Sequence, residues 1–134
     1  MSGVNEQLNG KRLLVVEDEA FIALMLEELL EGFGCSVVGV AGTLSRGLAM
    51  VDDESLSIDG AVLDINLGGE KVFPVAERLL ARGVPFVFCT GYGAGGLPGA
   101  FAEVPTIAKP YLEETLRKTL VSRFAAEKPD PCPN

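Results

Sequence analysis

Four places in the chain put a chemically capable side chain directly after a short apolar run. Glu17 and Asp18 follow Leu13-Leu14-Val15-Val16, and Asp64 follows the run from Ile58 to Leu63. Thr90 follows Pro85-Phe86-Val87-Phe88-Cys89, and Lys109 follows Val104-Pro105-Thr106-Ile107-Ala108. If these runs are strands of one parallel sheet, three carboxylates, a hydroxyl and an ammonium converge on one rim. Adjacent carboxylates repel one another and are driven toward protonation unless a cation sits among them. A hard divalent ion with oxygen ligands suits such a cluster, and Mg²⁺ commonly takes one or two carboxylates with waters and a phosphate oxygen. Asp64 then reads as a nucleophile toward a phosphoryl group. Lys109 and the metal would offset charge on the phosphoryl oxygens, and Thr90 would donate a hydrogen bond to one of them.

The elements that must position these groups follow from the pattern around them. A further run, Val37-Val38-Gly39-Val40, ends on Ala41-Gly42-Thr43 and carries no evident chemistry. Short apolar runs bounded by turn residues predict strands buried on both faces. Between them, residues 21–33 carry an apolar stripe through Ile22, Met25, Leu26, Leu29, Leu30 and Phe33, which predicts a helix ending at Gly32 and Gly34. Residues 44–51 and 72–80 repeat the pattern more briefly, and 113–126 carries Leu116, Leu120 and Phe124 at helical steps. Five strands alternating with helices imply a doubly wound five-stranded parallel sheet, an α/β fold. The crossover at 91–100 is crowded with glycine and holds Pro98, so its helix, the fourth, is expected to be short or irregular. In such a sheet, ligand chemistry gathers outside the carboxyl ends of the strands, where the four capable positions lie.

Composition narrows the classes. The 134 residues suit one domain, divided into an arm at 1–10, a folded unit at 11–127 and an unstructured, proline-rich tail at 128–134. The net charge of −8 weighs against nucleic acid and anionic membrane surfaces as partners. Cys35, Cys89 and Cys132 match neither a disulfide framework nor a zinc set, so reduced thiols in a cytoplasmic protein are expected. No segment reads as a secretory signal or a membrane span. The chain contains no histidine, so any phosphohistidine step must occur on a partner.

The segments VVEDE, LDINL, TGY and AKP, in this order and spacing, resemble the CheY-like receiver domains of two-component signalling. The resemblance covers residues 11–127 and implies a phosphoprotein that serves signal transduction or a phosphorelay. It implies that Asp64 is the phosphorylated aspartate, that Glu17 and Asp18 are the acid pair, that Thr90 is the switch hydroxyl, and that Lys109 is the family's lysine. It further implies that the backbone carbonyl of Asn66 joins Glu17, Asp18 and Asp64 around Mg²⁺, and that Lys109–Pro110 is a cis peptide of the kind X–Pro bonds tolerate. Residues 85–92, Pro-Phe-Val-Phe-Cys-Thr-Gly-Tyr, resemble the PFxFATG-Y signature of the FATGUY receivers, with Cys89 in place of alanine. Gly68-Gly69, where most receivers carry Pro-Gly, agrees with that subfamily. The chain departs from ordinary receivers at Thr106, where the family's aromatic switch is expected; Tyr92, or the glycine-rich segment after it, is the candidate that carries the readout instead.

Each residue also has a plainer reading. Asp18 could cap the following helix, Thr90-Gly91 could be an ordinary turn, and Lys109 could be a solvated surface lysine. Cys89 reads as a buried strand residue, and Met25, Phe21 and Phe33 as core. Tyr111 reads equally as packing or partner surface, and Glu27, Glu28 and Glu31 as a solvated face. The register of the four strand ends favours the functional reading. The expected function is a single-domain response regulator, not an enzyme beyond its own phosphorylation and dephosphorylation. It would accept a phosphoryl group from a sensor histidine kinase, of the HWE type by resemblance, or from a histidine phosphotransferase, and act on a downstream protein target. Two alternatives share parts of this chemistry. One is a phosphate sink for a shared kinase. The other is a haloacid-dehalogenase-like phosphatase, which Asn66 disfavours by standing where that class places a second aspartate.

Overall fold

Each apolar run forms a strand because its neighbours cover both of its faces. The computed structural model describes residues 7–91, 97–109 and 111–125. In chain order the elements are β1 (Arg12–Val16), α1 (Ala20–Gly32), β2 (Ser36–Ala41), α2 (Leu44–Asp52), β3 (Gly60–Asp64), β4 (Asn66–Leu67), β5 (Glu70–Lys71), α3 (Phe73–Ala81), β6 (Phe86–Thr90), β7 (Thr106–Ala108) and α4 (Glu113–Leu120). The main sheet has the order β2-β1-β3-β6-β7 with every neighbouring pair parallel. This is the expected doubly wound α/β sheet. β4 and β5 form a separate antiparallel hairpin.

Side chains alternate across the sheet with the two-residue strand period. Leu13, Val15, Val62 and Val87 face one core with Leu26 and Leu30 of α1 and Leu116 and Leu120 of α4. Leu14, Val16, Leu63, Phe86 and Phe88 face the other, with Val51 of α2 and Val75 and Leu79 of α3. Two apolar faces explain why the strands read as continuous hydrophobic runs. The β6–β7 crossover holds a single 3₁₀ turn at Gly99–Phe101 among its described residues. Phe101 from that turn stacks on Phe73 at 5.6 Å and meets Phe88 edge-on at 5.6 Å, so aromatic packing anchors a crossover that glycine would otherwise leave loose.

Three expectations need correction. Phe21 is 79% exposed, because the buried stripe of α1 runs through Ala23, Leu26 and Leu30 and leaves residue 21 outside it. The last helix is regular only to Leu120 and continues as a π-helical turn over Val121–Ala125, which still buries Phe124. Finally, β7 begins at Thr106 rather than Val104, since Pro105 offers no N–H to the ladder.

Gly60, the first residue of β3, shows how tightly α4 and its π turn press on the sheet. A Cβ there would stand 2.9 Å from the Phe124 ring and 3.1 Å from a Leu13 methyl. Gly60→Ala is therefore expected to destabilise the domain by about 1–3 kcal/mol, as overpacking does, measured as a lowered urea midpoint at unchanged slope. A variant as stable as the wild type would contradict this packing.

Candidate functional site

Parallel pairing aligns the carboxyl ends of all five strands on one edge, and the order reverses between β1 and β3. That switch point is where doubly wound sheets bind ligands. Glu17 and Asp18 follow β1, Asp64 closes β3, Thr90 closes β6 and Lys109 follows β7. The four positions meet there. Beside them opens a cleft of about 310 Å³ lined by Asp18, Glu19, Asp64, Asn66, Gly68, Gly91 and Lys109, with Glu17 and Thr90 buried behind this lining.

Lys109 bridges two acids. Its Nζ lies 3.1 Å from Asp64 Oδ2 and 2.9 Å from Glu17 Oε1. Glu17 and Asp64 are buried, whereas Asp18 is exposed. The Lys109 ammonium is the charged group that faces the buried Glu17 Oε1. The other Glu17 oxygen, Oε2, accepts from Glu19 N–H at 3.2 Å. Lys109 is fixed by its own backbone N–H, which donates to the Thr90 carbonyl at 3.0 Å. The plain reading of Asp18 as a helix cap does not apply, because Glu19 occupies the N-cap of α1 and no side chain caps it.

Burial is the largest influence on both acids and raises their pKa values; the ion pairs with Lys109 only partly offset it. For Lys109 the two carboxylates outweigh burial and raise its pKa. An acid whose folded pKa is raised contributes stability that is fully present below its unfolded value. That contribution is lost as pH rises through the folded value. Metal-free protein is therefore expected to gain stability on acidification from neutral toward the ordinary carboxylate range, and Asp64→Asn should flatten that gain. Thermal melts across pH check this; an identical pH dependence in the two proteins would contradict it.

These carboxylates fit a hard divalent cation. One ligand oxygen from each of Glu17, Asp18 and Asp64 lies within 4.8 Å of the others. Three carboxylates face the single ammonium of Lys109, so a divalent ion would find uncompensated oxygen ligands there. Oxygen donors of this kind select Mg²⁺ or Ca²⁺ over soft metals.

The remaining expectations divide three ways. Cys89 is wholly buried opposite Asp64 and burial pushes its thiol up to about 12, which suits a packing residue. Tyr111 is buried against the same core, which decides for packing. Thr106 is half-buried opposite Phe88, and its hydroxyl has no hydrogen-bond partner among the described residues. Tyr92, Pro110 and the cis peptide lie outside the described residues. Sequence reasoning missed the β4–β5 hairpin that walls the cleft. Its signal was Gly68-Gly69 between short flanking residues, a hairpin dipeptide.

Comparison with known proteins gives a consistent picture. No family model matches the chain. The chain is 41% identical to SdrG from Sphingomonas melonis Fr1, with a TM-score of 0.73 over 91% of this chain and 98% of that one. It is 28% identical to the receiver (REC) domain of the Erythrobacter litoralis PhyR response regulator, with a TM-score of 0.76 over 95% and 97% of the two chains. It is also 36% identical over 103 residues to the phyllosphere-induced regulator PhyR of Methylorubrum extorquens, covering 74% of this chain but only 38% of that relative.

Proposed function

Because the chain belongs to the receiver-domain family of response regulators, we propose that Asp64 accepts a phosphoryl group from a phosphohistidine on a partner protein. The observation that carries this reading is the Lys109 bridge between Asp64 and Glu17, with Asp64 and Lys109 lining an open cleft. In the transfer, an Asp64 oxygen bonds to phosphorus, the phosphorus–nitrogen bond breaks, and the partner's imidazole leaves with the bonding pair. Lys109 faces the phosphoryl oxygens as charge develops on them, and Thr90, at the end of β6, supplies a hydroxyl donor. Glu17, Asp18, Asp64 and the Asn66 carbonyl would hold Mg²⁺, which when bound supplies positive charge to the phosphoryl oxygens. These 134 residues contain no histidine, so a phosphohistidine donor lies outside them, on a histidine kinase (the HWE type by resemblance) or a phosphotransferase.

The output is a changed protein-binding surface that engages a downstream protein. The chain catalyses only its own phosphorylation and dephosphorylation. Among the described residues no helix is long and apolar enough to cross a membrane. Incubation with Mg²⁺ and each phosphorylated kinase or phosphotransferase of the source organism tests the reading. Transfer of label from at least one donor is expected, lost on chelation of the metal. Failure of every donor, together with failure of small-molecule phosphodonors, would overturn it.

A further inference from the structure

The hairpin β4–β5 adds no strand to the main sheet, yet it forms one wall of the Asp64 cleft. Its turn is Gly68-Gly69, with φ of 57° and 97°. Positive φ at both central residues is the signature of a two-residue type I′ turn, which fixes register. That register sets Asn66 directly opposite Lys71. Cross-strand neighbours on one face lie close enough for their side chains to meet, and the Lys71 ammonium donates to Asn66 Oδ1 at 2.5 Å. An ammonium carries donors only, so the amide atom facing it must be the oxygen. A slip of one residue would carry Lys71 to the opposite face and break the contact.

We infer that Lys71 is a positioning residue that lengthens the life of the Asp64 acyl phosphate by occupying the side-chain oxygen of Asn66. The inference rests on reading Asp64 as the phosphoacceptor. In hydrolysis, a water oxygen bonds to phosphorus and the bond from phosphorus to the Asp64 oxygen breaks. Asp64 recovers its carboxylate, and the water's protons leave with the phosphate or to solvent. Asn66 lines the same cleft two residues from Asp64, and Oδ1 is the sole acceptor of its side chain. A free Oδ1 can accept a hydrogen bond from the incoming water and orient it. The Lys71 ammonium competes for that oxygen and leaves the NH₂ group, a donor, to face the cleft.

The contact is exposed to solvent, so its effect is modest, a factor of about two to ten in rate. The test compares wild type, Lys71→Met, Lys71→Arg, Asn66→Ala and the Lys71→Met/Asn66→Ala pair, each labelled with Mg²⁺ and a phosphorylated donor and chased for loss of label. Lys71→Met should lose label about two- to tenfold faster, Lys71→Arg should restore the wild-type lifetime, and Lys71→Met should add nothing once Asn66 is alanine. An unchanged lifetime in Lys71→Met, or the same acceleration in the Asn66→Ala background, would overturn the inference. A second readout needs no phosphorylation: the Asn66 side-chain NH₂ resonances should shift in Lys71→Met. Unmoved resonances overturn the clamp itself, whereas a protein that takes no label from any donor overturns the functional reading instead.

Discussion

Asp64→Asn is expected to abolish phosphorylation while leaving the domain folded. The substitution keeps the size and planarity of the side chain but replaces the nucleophilic carboxylate oxygen with an amide, which does not form an acyl phosphate. The loss should exceed about a thousandfold and reach the detection limit of a labelling assay. Folding should survive because burial already disfavours the Asp64 charge; the metal-free variant should melt at or above the wild-type temperature at neutral pH. Mg²⁺ should raise the wild-type melting temperature, since an ion that binds only the folded state stabilises it, and should raise that of the variant less. Retained label in Asp64→Asn would mean that another group accepts the phosphoryl.

Lys109→Met carries the second large effect, and it acts in two ways. Methionine keeps most of the stem volume but removes the ammonium that contacts both Asp64 and Glu17. Losing one preorganised charge at the developing phosphoryl oxygens should slow transfer about 10²–10³-fold. The same change leaves two buried carboxylates without their cation, so the metal-free domain should lose about 1–3 kcal/mol at neutral pH. Stopped-flow or quenched transfer assays measure the first effect and urea melts the second. Mg²⁺ should recover part of the stability and little of the rate, because the ion can neutralise the acids but cannot stand where Nζ stands. Wild-type transfer in this variant would remove Lys109 from the chemistry.

Much of the fold was legible because strands buried on both faces are written as unbroken apolar runs, and each ends where the chemistry begins. Glu17, Asp64 and Lys109 stood out as charged residues directly after such runs, and parallel pairing alone carries them to one edge. Their mutual contacts were not legible, because separations in sequence do not specify which oxygen meets which ammonium. The hairpin of Asn66 and Lys71 was missed for a different reason: two-residue strands are too short for any period to show, and only the glycine pair marks them. Phe21 was misjudged because its apolar side chain was weighed without its angle on α1. The packing of Phe101 on Phe73 and Phe88 was also hidden, since nothing local says which ring a loop aromatic will meet. The Thr106 hydroxyl, without a hydrogen-bond partner among the described residues, was not legible either, because burial of a strand position is set by its neighbours.

The most direct test of the central claim is chemical trapping. An acyl phosphate is reduced by borohydride to an alcohol, so phosphorylated Asp64 becomes homoserine and can be located by peptide mass spectrometry. After phosphorylation in Mg²⁺ and reduction, the account predicts homoserine at position 64 and unmodified aspartate or glutamate at Asp18 and Glu17. Homoserine at any other position, or label that resists reduction because it sits on a hydroxyl such as Thr90, would contradict it.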